Sequence, residues 1–104
     1  MATEFSFIEY ILEQLREVPN MTYKKMFGEY MLYINGKPVV IVCDNTAMMK
    51  PHAFLADKDL ETQIPYSGAK EHYVLDPDDR EFFTWAILEA EKITPLPKPK
   101  KKKV

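Results

Sequence analysis

The stretch Lys25-Met-Phe-Gly-Glu-Tyr-Met-Leu-Tyr-Ile-Asn-Gly-Lys-Pro-Val-Val-Ile-Val-Cys-Asp-Asn-Thr-Ala-Met-Met-Lys50 holds three short apolar runs separated by Asn35-Gly36 and Asp44-Asn45. Asn-Gly between apolar segments is the strongest short-range hairpin signal, because a type I′ turn needs positive φ at both central residues and these two tolerate it best. A two-residue loop there pairs Ile34 with Lys37, Tyr33 with Pro38, Leu32 with Val39, Met31 with Val40 and Tyr30 with Ile41. On that register Tyr30, Leu32 and Ile34 share a face with Val39 and Ile41, while Met31 and Tyr33 share the other with Val40 and Val42. Pro38 then lies at a non-hydrogen-bonded site, where its missing N–H costs the ladder nothing. A second tight turn at Asp44-Asn45 sets Met48 opposite Ile41 and Met49 opposite Val40, giving a three-stranded antiparallel meander over about residues 29–50. Both faces are apolar, so one is expected to meet helices and the other, with Met31, Tyr33, Val40, Val42 and Met49, also needs cover.

Outward from this block, residues 4–18 read as an amphipathic helix. Phe5, Ile8, Ile11, Leu12, Leu15 and Val18 form one stripe, with Glu9, Glu13 and Arg16 opposite, Thr3 as N-cap and Pro19-Asn20 as stop. Met21 to Phe27 reads as a strand with Tyr23 and Lys25 on one face, broken by Gly28. A short helix is expected over Ala53 to Leu60, a loop at Pro65 to Gly68 and a further strand at His72 to Leu75. Asp76-Pro77-Asp78-Asp79 has the chemistry of a helix start, with Asp76 as cap and acids facing the positive dipole end. The helix that follows, to about Ile93, is expected to bury Phe82, Phe83, Ala86, Ile87, Ala90 and Ile93. The fold class is therefore α+β: two layers, an antiparallel sheet built on the meander, and amphipathic helices at both ends.

At 104 residues, 46% apolar and 12% aromatic, the chain forms one domain with a real core. The longest apolar run, Val39 to Cys43, is far too short for a bilayer span, and Glu4, Glu9 and Glu13 are unlike a signal peptide, so we expect a cytoplasmic protein with no membrane partner. Lys98, Lys100, Lys101, Lys102 and Lys103 lie in the last seven residues, whereas every acidic residue precedes Thr94. A domain over residues 1–94 thus carries a net −7, and an extended Pro/Lys-rich tail over residues 95–104 carries +5.

No residue set specifies a reaction. Cys43 with His52 or His72 could be drawn as a thiol–base pair, but it ends an apolar strand without an orienting third group and reads as a small buried hydrophobe. It has no Cys/His neighbours at zinc spacing, and Met48 and Met49 read as packing residues rather than soft ligands, so no metal or cofactor is expected. Ser67-Gly68-Ala69-Lys70 is a weak candidate anion cradle. Trp85 and Leu88 fall outside the apolar stripe of the last helix yet face each other at i, i+3. They are either folded over by Ile93 to Pro97 or form a partner contact, and Tyr23 and Tyr33 are the second candidates for one. Nucleic-acid candidates are Lys24, Lys25, Lys37, Lys50 and the tail lysines Lys98, Lys100, Lys101, Lys102 and Lys103, working against the repulsion of an acidic body.

Lys25-Met26-Phe27-Gly28-Glu29-Tyr30, Leu32-Tyr33, Gly36-Lys37, Pro65-Tyr66, Gly68-Ala69-Lys70, Tyr73, Asp79-Arg80 and Leu96-Pro97-Lys98-Pro99-Lys100 together resemble the amino-terminal domain of the TfoX/Sxy family. Met31 and Ser67 depart from the family pattern, which usually has a small residue and a proline there. The resemblance implies a two-layer α+β domain and kinship to bacterial regulators of natural competence, which act with a cyclic-AMP receptor protein at promoters. Those regulators carry a second, carboxy-terminal helical domain, and with the chain ending at Val104 we expect a single-domain member without it. The resulting expectation is a non-enzymatic transcription-regulation module working through protein–protein contacts, with a transcription regulator or a second copy of itself as partner. Direct nucleic-acid binding is the alternative.

Overall fold

The computed structural model describes residues 3–26 and 29–95. Phe27 and Gly28 of the family-like stretch and the tail lysines Lys98, Lys100, Lys101, Lys102 and Lys103 lie outside the described residues. Helix α1 (Phe5–Gln14) precedes strands β1 (Met21–Met26), β2 (Glu29–Ile34), β3 (Lys37–Cys43) and β4 (Thr46–Met49). A 3₁₀ turn at Ala53–Leu55, strands β5 (Thr62–Gln63) and β6 (His72–Leu75), and helix α2 (Arg80–Ile93) follow. The six strands form one antiparallel sheet in the order β1-β2-β3-β4-β6-β5, so the architecture is α+β and the expected meander is its centre.

Both tight turns form as their residues dictate, with φ of 52° and 79° at Asn35 and Gly36, and 52° and 56° at Asp44 and Asn45. Between them the register departs from the regular one. Ile34 pairs with Lys37 and Tyr33 with Pro38, but Leu32 then pairs with Val40, Met31 with Ile41 and Tyr30 with Val42. One extra residue on β3 is a β-bulge, and because side chains alternate with a period of two, it exchanges the faces of everything beyond it. Val40 and Val42, expected on the outer face, lie in the core with Tyr30 and Leu32, and Ile41, expected in the core, lies outside beside Met31. Met48 pairs with Ile41 as expected, which places Met48 outside and Met49 inside, the reverse of the expected place for Met49.

Both helices cover the same face. Ile8, Ile11, Leu15 and Val18 from α1 and its extension, and Phe83, Ala86, Ile87 and Ala90 from α2, pack on Leu32, Ile34, Val40, Val42, Met49 and Leu75. Regular α1 ends at Gln14, four residues short of the expected end; single turns carry the chain to Val18, where the following Pro19 disfavours a helical conformation. Thr3 is not the cap. Its hydroxyl donates to Glu29 Oε1 at 2.8 Å and accepts from the Asn45 N–H, pinning the start of α1 to the β3–β4 turn, and Phe5 at the helix start is exposed rather than buried.

At α2 the cap is Asp79, whose Oδ1 accepts from the Phe82 N–H. Asp76, the expected cap, spends its carboxylate on the Asp78 N–H at 2.9 Å in a tight turn, which moves the helix start three residues on. Ile93, expected in the stripe, sits at the helix end and is exposed. The helix expected over Ala53 to Leu60 is the single 3₁₀ turn, and the two-residue β5 was not expected at all. No helix among the described residues is long and apolar enough to cross a membrane.

Candidate functional site

Helix α2 presents an apolar ridge away from the sheet. Trp85 is 37% and Leu88 38% exposed, on the side opposite Phe83, Ala86, Ile87 and Ala90. The indole is held from three sides: Phe54 of the 3₁₀ turn meets it edge-on at 5.4 Å between ring centroids, Phe82 lies at 5.5 Å, and Lys58 Nζ stands 5.2 Å over the ring. The segment after β4 therefore supplies intramolecular support; of Ile93 to Pro97, the alternative cover, Leu96 and Pro97 lie outside the described residues. Leu88 is exposed to the same degree as the indole.

The two tyrosine candidates separate. Tyr23 pairs with Leu32 on the helix-covered face, at its β1 margin, where its ring joins Phe5 and Tyr30 in a cluster with centroids 5.7 and 5.9 Å away. Tyr33 points to the other face, with Lys24 Nζ 5.9 Å from its ring centre. Period-two alternation separates Lys24 from Lys25 in the same way, Lys25 pairing with Tyr30 on the helix side.

Lys37 is not free for a phosphate. Its ammonium donates to the Glu91 carboxylate and to the Glu91 backbone carbonyl, both at 3.0 Å, tying the β2–β3 hairpin to the end of α2. The hydrogen bond from Lys37 holds the Glu91 carboxyl below its ordinary value of 4.5. A depressed folded value means that the ionised carboxylate favours the fold above the unfolded value, and the benefit disappears as pH falls through the folded one. Glu91→Gln is accordingly expected to be less stable than the wild type at pH 7, with the difference closing as pH drops below about 4. Urea unfolding at pH 7 and pH 3 checks this, and an undiminished difference at pH 3 refutes it.

Cys43 is buried at the end of β3, and burial, aided by the carboxylates of Glu29 and Asp44, pushes its thiol up to about 11. That opposes thiolate chemistry. In the folded protein at pH 8 Cys43 is expected to react with an aromatic disulfide reagent slowly, and at once after denaturation; rapid labelling of the folded chain would contradict it. Among the described residues no three His, Cys, Asp or Glu side chains gather as a metal site.

The outer face of the sheet carries a groove of about 620 Å³ that sequence reasoning did not assemble. Met31, Ile41 and Met48 form its floor, and Lys50, His52, Lys70 and His72 stand around it. Strand alternation at β6 and β4 was the signal available for His72 and Lys50. The fold of the segment between β4 and β6, which brings His52 and Lys70 over them, carries no periodicity. The candidate cradle at Gly68 to Lys70 borders this groove, but its Ala69 N–H is already spent on the Tyr66 carbonyl at 3.0 Å. A second cleft, of about 830 Å³, lies beside the starts of both helices and is lined by Glu4, Asp59, Glu61, Asp76 and Asp78.

No family model matches the chain. It is similar to a protein of Spirochaeta aurantia described as the uncharacterized 12.7 kDa protein in the trpE 5′ region, with 32% identity over 107 aligned positions that cover 99% of this chain and 93% of the other. Identity sustained over nearly the full length of both chains places the protein in the same family as the 12.7 kDa protein of Spirochaeta aurantia.

Proposed function

We propose that the protein is a non-enzymatic, cytoplasmic regulatory module of the TfoX/Sxy amino-terminal-domain type, acting through protein contacts. The observation that carries this reading is the ridge of Trp85 and Leu88: a large indole fixed by Phe54, Phe82 and Lys58 beside an exposed leucine. An anchor whose rotamer is already set loses little entropy on binding, and tryptophan is among the residues most enriched at interface hot spots. The α+β architecture and a raised, buried Cys43 thiol are in keeping with such a module. The partner is a transcription regulator.

The ridge makes a definite mutational prediction. Trp85→Ala should stay folded, because the residue sits outside the core, and should weaken partner binding by about 2 kcal/mol or more. Circular dichroism checks the fold. Affinity capture by wild type and Trp85→Ala, each with and without nuclease, checks the contact. Retention by both of the same nuclease-resistant partner refutes the reading, and a concentration-dependent dimer abolished by the variant would make a second copy the partner instead. Direct nucleic-acid binding keeps one observation in its favour, the placing of Lys24, Tyr33 and Lys50 on the outer face. It predicts steep loss of binding with salt, which the ridge does not.

A further inference from the structure

Charge in this molecule is segregated. The described body is acidic, and five carboxylates line the cleft by the helix starts, yet no carboxylate lines the groove on the outer face of the sheet. That groove instead collects two lysines and two histidines around an apolar floor. Met48 is only 1% exposed although it lies on the side of the sheet away from the helices, and the two ends of the connecting segment, Lys50 to His52 and Tyr66 to Lys70, wall the groove on this face. Its volume falls within the range of about 300–1,000 Å³ typical of small-molecule sites.

The polar groups at the rim are arranged with ring nitrogens to spare. His72 Nδ1 donates to the Lys70 carbonyl at 2.9 Å, leaving Nε2 open, and His52 stacks flat on Phe54 at 5.5 Å. Burial first, and then Lys50 and His72, disfavour a proton on His52, so the positive charge of the rim rests on Lys50 and Lys70, to which no carboxylate lining the groove gives a counter-charge. An anion supplies one. The two floor methionines can reshape around an apolar body. Tyr66, largely exposed at the mouth, adds an aromatic edge.

We propose that the outer-face groove binds a small amphipathic organic anion, its apolar body on Met31 and Ile41 above the buried Met48 and its single acidic head among Lys50, Lys70, His52 and His72. Phe54 joins the two surfaces, stacking on His52 of the groove and meeting Trp85 of the ridge, but neither Trp85 nor Leu88 lines the groove, so either reading can stand without the other.

The test uses the full chain with ¹³C-methyl methionine and decanoate as the probe, kept below its micelle concentration. Saturable shifts are expected at the Met31 and Met48 methyls, with Met21 and Met49 on the helix-covered face unmoved. Lys50 and Lys70 are exposed, so the double variant Lys50→Gln/Lys70→Gln should fold normally. It should bind decanoate about three- to tenfold more weakly. Decyltrimethylammonium, with the same chain and the opposite charge, should not produce these shifts. The proposal is overturned by no saturable shift, by shifts centred on Met49, by equal response to the cationic probe, or by unchanged affinity in the double variant. Displacement of decanoate by a short oligothymidine at lower concentration would overturn it in favour of nucleic acid.

Discussion

Val40→Asp is expected to unfold the protein, whereas Ile41→Asp, one residue on, should leave it folded. Val40 is 1% exposed among Leu32, Val42 and the helix residues, so the substitution removes about 1.5–3 kcal/mol of apolar burial and adds a carboxylate with no partner, at several kcal/mol more. A domain of this size holds about 5–15 kcal/mol in all. Ile41 is half-buried over the outer groove, where water can reach a carboxylate, and the loss there should be about 1–2 kcal/mol. Circular dichroism and urea midpoints of the two variants decide the matter. A regular hairpin gives the opposite order, so a folded Val40→Asp with an unfolded Ile41→Asp would eliminate the bulge.

Phe83→Ala should be the most damaging large-to-small change on α2. The ring is fully buried in the core shared by the helices and the sheet, and truncation of such a side chain costs about 3–5 kcal/mol through lost burial and the cavity left behind. Trp85→Ala, two residues along, removes a larger side chain that rests on Phe54 and Phe82 at the surface, and should cost less than half as much stability. Equal destabilisation by the two would mean that Trp85 belongs to the core, and the ridge would lose its standing as a contact surface. Guanidinium unfolding with a shared slope measures both.

The candidate surfaces were unequally visible in the residues. Trp85 and Leu88 stand out of the stripe of α2 at 100° per residue, and helical geometry alone put them on the far side. The lysines did not sort themselves. Lys24, Lys25, Lys37 and Lys50 look alike in the chain, but alternation sends Lys24 and Lys25 to opposite faces, Glu91 takes Lys37, and Lys50 joins the groove. Glu91 is 54 residues from Lys37, and no local pattern links them.

What the sequence determined by itself is the set of local conformations whose cost is paid within a few residues. Asn35-Gly36 and Asp44-Asn45 make their turns because few other residues tolerate positive φ, and the stripes of α1 and α2 make one side of each helix apolar. What only the tertiary structure decided is the face of β3. Pro-Val-Val-Ile-Val-Cys is apolar at every position, so alternation carries no information there, and a one-residue bulge at Val39 moves everything after it to the other side for little local energy. Packing under two helices favours Val40 and Val42 inside with Met49, and that choice leaves Met31, Ile41 and Met48 to floor the groove outside.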